Sequence, residues 1–204
     1  MSEAARAEAQ ALMQSMEAQP LHVTHVTSLA LQIFDELSSL HGLGERERLL
    51  LEAAGYLHDI GHQFEHLGTG HHKESARVIR EHGWKSFSPE EVSMFALVAR
   101  YHRKAVPEMK DPFFAALYSN QRRTVQILAA ILRIADALDR NHEQFVTGLR
   151  AEVRPSQIVF HLEASGPVLR EVLTAQKKGD LAREMFQREL VFMLGDEVIP
   201  GASE

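Results

Sequence analysis

Cysteine is absent from the 204 residues. Its absence excludes disulfides, thiolate zinc sites, iron–sulfur clusters and cysteine nucleophiles, and accords with a reducing, cytoplasmic setting. No run of about 18 apolar residues occurs, so no membrane span is expected. The opening MSEAARAEAQALMQSMEAQP lacks the charged-then-apolar profile of a signal peptide. Basic residues are outnumbered, 22 against 28 acidic, for a net charge of −6, which argues against a broad nucleic-acid-binding surface. Hydrophobic residues at 45% and charged residues at 25% describe an ordinary globular chain and exclude disorder, collagen and fibre. What is abundant is histidine, at 12 residues. Histidine is the commonest metal ligand.

The apolar spacing predicts a mainly α fold. Residues 1–20 read as a polar, alanine-rich helical extension, a candidate contact for a homodimer. Val23, Val26, Leu29, Ala30, Ile33, Phe34 and Leu37 form one helical stripe, stopped by Gly42 and Gly44. ERERLLLEAAGYLHDIG is charged for one turn and then apolar nearly all round, as a central buried helix is. Gly61 breaks it, and residues 62–70 read as a loop. A helix is expected from His71 to His82. Ser88-Pro89-Glu90-Glu91 is a capping box with proline at the first helical position. Residues 103–120, with two prolines, read as irregular or short-helical. The stretch 121–141 is helical again. The period then changes to two: Leu149, Ala151 and Val153, then Ile158, Phe160 and Leu162, form a β-hairpin. A closing helix is expected from Pro167 to about Leu194. Residues 21–145 would be the helical core, with 146–204 packed on it.

The chemistry centres on His58-Asp59, at the end of the most apolar helix. Two polar groups there cost several kcal/mol unless they are paired or bind a metal. Alone, the pair reads as a helix cap. Asp136 lies on the apolar face of its helix, in line with Leu132, Ala129 and Val125, and a buried carboxylate needs a cation. Arg133, Arg140 or a metal could supply it. His22 heads the stripe of Val26 and Leu29; alone it reads as a boundary histidine. Together His22, His58, Asp59 and Asp136 offer two imidazoles and two carboxylates, a set suited to Mn, Fe, Co, Ni, Zn or, less well, Mg.

This ordered set resembles the HD superfamily of metal-dependent phosphohydrolases: a first histidine in HVTHVTSLA, the pair in LHDIG, and a distant aspartate in ILRIADALDR. The resemblance implies an HD-domain helical bundle and a divalent ion on His22, His58, Asp59 and Asp136. Two-metal members carry two further histidines. HHKESARVI resembles the segment holding one of them and selects His71 over His72; LVARYHR supplies His102. The centre would then hold one or two divalent ions, with Asp59 serving catalysis and bridging the pair where a second ion sits on His71 and His102. Cations for a phosphoryl group would be Arg103 (also catalytic), Lys104, Arg133 and Arg140, with Lys73 weaker. His62 and His66 read as exposed loop histidines, Trp84, Phe64 and Tyr101 as packing residues, and Lys177-Lys178 as solvated helix surface.

A closer resemblance links HGL, YLHDIG, HHKESARVI, ARYHRK and LAAILRIADALDRNH, within roughly residues 20–192, to the C-terminal region of the Ppx/GppA family of exopolyphosphatases and guanosine pentaphosphate phosphohydrolases. In that family hydrolysis is assigned to an N-terminal actin-like pair of domains that has no counterpart in these residues, so the family activity does not carry over by name. The expected function is metal-dependent hydrolysis of a small phosphate ester or anhydride, nucleotide-like or polyphosphate-like, by a metal-activated water. The alternative is a non-catalytic module that binds polyphosphate or a guanine alarmone.

Overall fold

Residues 49–57 are buried on every side of their helix, and the rest of the fold is arranged around them. The computed structural model describes residues 2–103 and 105–200. The helices are α1 (Ser2–Met16), α2 (Pro20–Glu36), α3 (Ser38–His41), α4 (Glu45–Leu57), a 3₁₀ helix (Ile60–Leu67), α5 (His71–Glu81), α6 (Pro89–Arg100), α7 (Pro112–Ala115) and α8 (Ser119–Ala137). Strands β1 (Val146–Val153) and β2 (Gln157–Ala164) follow. Then come α9 (Leu169–Lys178), α10 (Asp180–Phe186), β3 (Glu189–Leu194) and β4 (Glu197–Val198). α4 packs against α1, α2, α6 and α8. Leu50, Leu51 and Leu57 are at most 2% exposed, and burying each contributes about 1.5–3 kcal/mol. α1 lays Ala5, Ala9, Leu12 and Met13 into the same core. No helix among the described residues is long and apolar enough to cross a membrane.

Two glycines set the close approaches that shape the centre. A Cβ on Gly55 would meet the Thr27 hydroxyl at 2.6 Å and its Cα at 3.2 Å, so α2 and α4 cross in contact at these two residues. A Cβ on Gly61 would collide with the His71 carbonyl oxygen and the Ser75 backbone nitrogen. The start of the 3₁₀ helix therefore lies directly on the first turn of α5, and the Gly61 N–H donates to Ser75 Oγ at 2.9 Å.

The sheet runs β1-β2-β3-β4. β1 and β2 form the expected antiparallel hairpin, and β3 pairs with β2 in parallel, Ile158 opposite Leu190 and Phe160 opposite Phe192. The expected closing helix is corrected here. It breaks into α9 and α10 and ends at Gln187, whose φ of 52° is left-handed. Residues 189–194 are a strand because Leu190 and Phe192 alternate inward and β2 takes their backbone groups. The segment 62–70, expected as loop, is largely the 3₁₀ helix. The outer edge of β1 is covered from α2. Gln32 Oε1 accepts from the Leu149 N–H at 3.1 Å, Glu36 Oε2 accepts from the Ala151 N–H at 2.8 Å, and His25 Nε2 donates to the Val146 carbonyl at 2.8 Å.

Candidate metal centre

Five elements end or begin at one point. His22 sits in the first turn of α2. His58 and Asp59 follow α4. His71 opens α5, His102 lies two residues past α6, and Asp136 is in the last turn of α8. His22, His58, Asp59, His71 and His102 are each no more than 7% exposed; the Asp136 side chain is 14% exposed. All six residues singled out from the sequence as candidate ligands are thus brought together.

Asp59 is the middle of the cluster. Its Oδ2 lies 3.9 Å from His22 Nε2 and 3.6 Å from His58 Nε2. Its Oδ1 lies 3.5 Å from His71 Nε2 and 3.4 Å from His102 Nε2. Asp136 Oδ1 closes the first side, 3.6 Å from His22 Nε2 and 3.8 Å from His58 Nε2. Two groups, His22–His58–Asp59 and Asp59–His71–His102, could each hold a metal ion, with their ligand atoms within 4.8 Å of one another.

The backs of the rings fix their fronts. His58 Nδ1 donates to the Gly55 carbonyl at 2.7 Å, and His102 Nδ1 donates to the Ala99 carbonyl at 2.6 Å. His22 Nδ1 donates to Asp139 Oδ2 at 2.7 Å. Carbonyls and carboxylates only accept, so in the neutral ring the proton sits on Nδ1 and the Nε2 lone pair faces the centre. His22 Nε2, His58 Nε2 and Asp59 Oδ1 are buried without a hydrogen-bond partner. Buried acceptors in that state cost about 1–3 kcal/mol each, and convergent lone pairs of this kind suit a divalent cation.

The electrostatics agree. Burial opposes ionisation of Asp59, yet the surrounding His58, His62 and His102 hold its carboxyl far below the usual range. Asp136 is likewise held well below it, against burial, by Lys178 and then His22. Burial pushes His102 down to about 3, which keeps its imidazole neutral. Burial also opposes protonation of His22, but the facing carboxylate of Asp136 and the hydrogen-bonded carboxylate of Asp139 carry it up to about 9. A cation is therefore favoured at that position when no metal is there.

The family model described as Ppx/GppA phosphatase, domain III, matches residues 6–183. The chain belongs to that family. Its lineage is that of a phosphatase, and the chain itself is mainly helical with a small sheet.

Beside the centre, domain III opens a cleft of about 520 Å³ lined by Arg103, Arg133, Arg140, Lys177, Lys178, Thr174 and Asp180. Arg103 stands 3.5 Å from His71 Nδ1 through its Nη1, and Arg140 is exposed. Lys104 lies outside the described residues. Arg133, expected to meet a phosphoryl group, lines this cleft from below with its donors engaged. It is 2% exposed, and its donors go to the carbonyls of Tyr101, Arg103, Ala105 and Lys178 and to the Asp180 carboxylate. It braces the cleft floor and ties the segment after His102 to the end of α9. The cation paired with Asp136 is neither Arg133 nor Arg140 but Lys178, whose Nζ contacts Oδ2, so Lys178 is not solvated surface.

The remaining histidines and aromatics have simpler places. His62, expected to be a solvated loop residue, is 44% exposed with its Nε2 3.5 Å from Asp59 Oδ2 and its ring stacked on His71 at 3.8 Å. It stands at the rim of the centre. The ring of His72 is 5.8 Å from that of His71, and burial with the neighbouring His71 lowers its pKa to about 4. His66 is exposed. Trp84 packs on Phe87 and Phe95, and the Tyr101 hydroxyl donates to Asp111 at 2.7 Å. Asp139, 1% exposed, escaped the sequence reading. Its signal was its place one turn after Asp136 in ADALD.

Proposed function

We propose that this domain III is an HD-type metal-dependent phosphohydrolase acting on a phosphate ester or anhydride. In this reading residues 21–145 are the metal-binding core, with 1–20 and 146–204 packed on it. The observation that carries the proposal is the two-sided carboxylate of Asp59, with a pair of inward Nε2 atoms on each oxygen. The site's fit to metal rests on its buried, unpartnered acceptors. His22, His58, Asp59 and Asp136 would hold one divalent ion, and Asp59, His71 and His102 a second. Ions so held supply a water acidified into the neutral range and positive charge toward phosphoryl oxygens.

The chain's own groups supply the rest. Asp59 fixes the two halves of the centre relative to each other. The Nδ1 hydrogen bonds to Gly55, Ala99 and Asp139 keep three imidazoles in the ligating tautomer. Arg103, Arg140 and Lys177 present positive charge along the cleft, where it can meet the non-reacting oxygens of a phosphate. The buried walls limit water at the ligands.

Purified protein supplied with Mn and assayed on phosphomonoester and nucleotide substrates should release phosphate, and Asp59→Ala should lower the rate by at least about 100-fold. Equal activity in Asp59→Ala and the parent would refute the assignment. A second reading, phosphate-ligand binding without turnover, draws on the match being to domain III of the family. It predicts binding with no hydrolysis in Mn, Co, Ni or Zn.

A further inference from the structure

Lys178 reaches from the basic cleft into the centre itself. Its ammonium contacts Asp136 Oδ2, and the two side chains are 20% and 14% exposed. The other oxygen of the same carboxylate faces His22 Nε2 at 3.6 Å and His58 Nε2 at 3.8 Å. Asp136 therefore carries a cation on one oxygen and the metal-type nitrogens on the other.

The backbone behind this contact is fixed. Lys178 is the last residue of α9, and its carbonyl accepts from Arg133 Nε at 3.1 Å. Arg133 stands one turn before Asp136 on α8 and also holds Asp180 at 2.6 Å. What is free to move is the four-carbon stem of the lysine, a flexible arm with a compact charge at its tip. On one side of that arm is the carboxylate. On the other is the cleft of about 520 Å³ with Arg103, Arg140 and Lys177. An ammonium and a divalent ion sharing one carboxylate repel each other at close range, so occupation by one weakens the other.

We infer that Lys178 is an internal counter-cation: it competes with the metal for Asp136 and, once the metal holds that carboxylate, turns its ammonium to a phosphate group in the adjoining cleft. The inference rests on the metal-centre reading above. It makes Lys178 a substrate-binding residue available only when the centre is loaded, so that metal and phosphate binding reinforce each other.

The test is two calorimetric titrations on Lys178→Met, which keeps the aliphatic stem and removes the charge. Mn is titrated into protein stripped with EDTA, and inorganic phosphate into Mn-loaded protein. Lys178→Met should bind Mn about tenfold tighter and phosphate about tenfold weaker than the parent. Lys178→Gln should give the same two shifts and serves if the Met variant does not fold. Lys110→Met removes the same charge from an exposed lysine paired with Glu108 and should leave Mn affinity unchanged. A Lys178→Met affinity for Mn equal to the parent's, or a shift matched by Lys110→Met, overturns the competition. Tighter Mn with unchanged phosphate overturns the turn into the cleft. A parent that binds no Mn overturns the metal-centre reading and this inference with it, so the two failures are distinguishable.

Discussion

Asp139→Asn changes one atom and should disable His22. In the parent, Asp139 Oδ1 accepts from the Gln144 backbone N–H at 2.8 Å, and Oδ2 accepts from His22 Nδ1 at 2.7 Å. Both side chains are buried, at 1% and 2% exposed. Gln144 Nε2 also donates to Oδ2 at 3.1 Å, but its side chain can rotate aside, so an asparagine's single oxygen is contested by the Gln144 backbone N–H and His22 Nδ1. The Gln144 backbone N–H cannot turn away, so the oxygen goes there and the amide NH₂ faces His22. His22 Nδ1 must then accept, which moves its proton to Nε2, the nitrogen aimed at the centre. A ring in that tautomer cannot ligate. Reversing the amide restores the tautomer but sets two N–H groups against each other at Gln144. Either arrangement gives up the buried hydrogen bond to a charged carboxylate, replacing it with a neutral one or with none, about 1.5–3 kcal/mol. The corresponding fall in Mn affinity is between about 10- and 100-fold. Calorimetric titration of EDTA-stripped protein with Mn measures it, alongside a melting curve to show that the variant folds. Asp139→Ala leaves the tautomer unforced and should fall between the parent and Asp139→Asn. Affinity of Asp139→Asn within twofold of the parent would refute the argument that Asp139 sets the His22 proton.

Two further outcomes follow from packing and charge. Gly61→Ala places a Cβ on the His71 carbonyl and the Ser75 nitrogen, backbone atoms that cannot rotate aside. It should cost about 3 kcal/mol in chemical denaturation and weaken the His71–His102 side of the centre before the His22–His58 side; an unchanged denaturation midpoint would contradict the close approach. Glu91 is held below its usual 4.5 by the Arg46 guanidinium, against burial, with Arg46 Nη2 2.6 Å from Glu91 Oε2. A depressed carboxylate stabilises the fold above its unfolded pKa and loses that contribution as pH falls through its folded value. Arg46→Met should therefore cost about 0.5–1 kcal/mol at pH 7, modest because Arg46 is partly exposed, and the gap to the parent should narrow below pH 4.5. A gap independent of pH between 7 and 3 would show that the pair contributes nothing.

Local signals in the chain were strong enough to place most of the helices. The capping box at Ser88–Glu91 forms as its residues require, the stripe of α2 is buried from Val23 to Phe34, and the hairpin alternation holds from Leu149 to Leu162. β3 was not legible. Its alternation is six residues long, follows directly on helical spacing, and is stabilised by a parallel partner some thirty residues earlier. At the site, histidines and acids on apolar faces stand out in sequence because burying them is costly. Lys178 and Asp139 do not, because each looks like ordinary helix-end polarity. Their roles come from contacts with Asp136 and His22, which lie 42 and 117 positions away. Arg133 was visible as a charge beside Asp136, but its carbonyl partners belong to other segments.

The covering of β1 by α2 bears on how the protein behaves when crowded. An exposed strand margin is a template for lateral addition of another chain and for fibril growth. Here alternate N–H groups of that margin, at Leu149 and Ala151, are already engaged by Gln32 and Glu36. The opposite margin is formed by β3 and by β4, which is only two residues long and pairs with Met193 and Leu194. Replacing Gln32 and Glu36 with alanine would bare the longer margin while leaving the clustered histidines intact, converting a self-limited sheet into one that can recruit its neighbours.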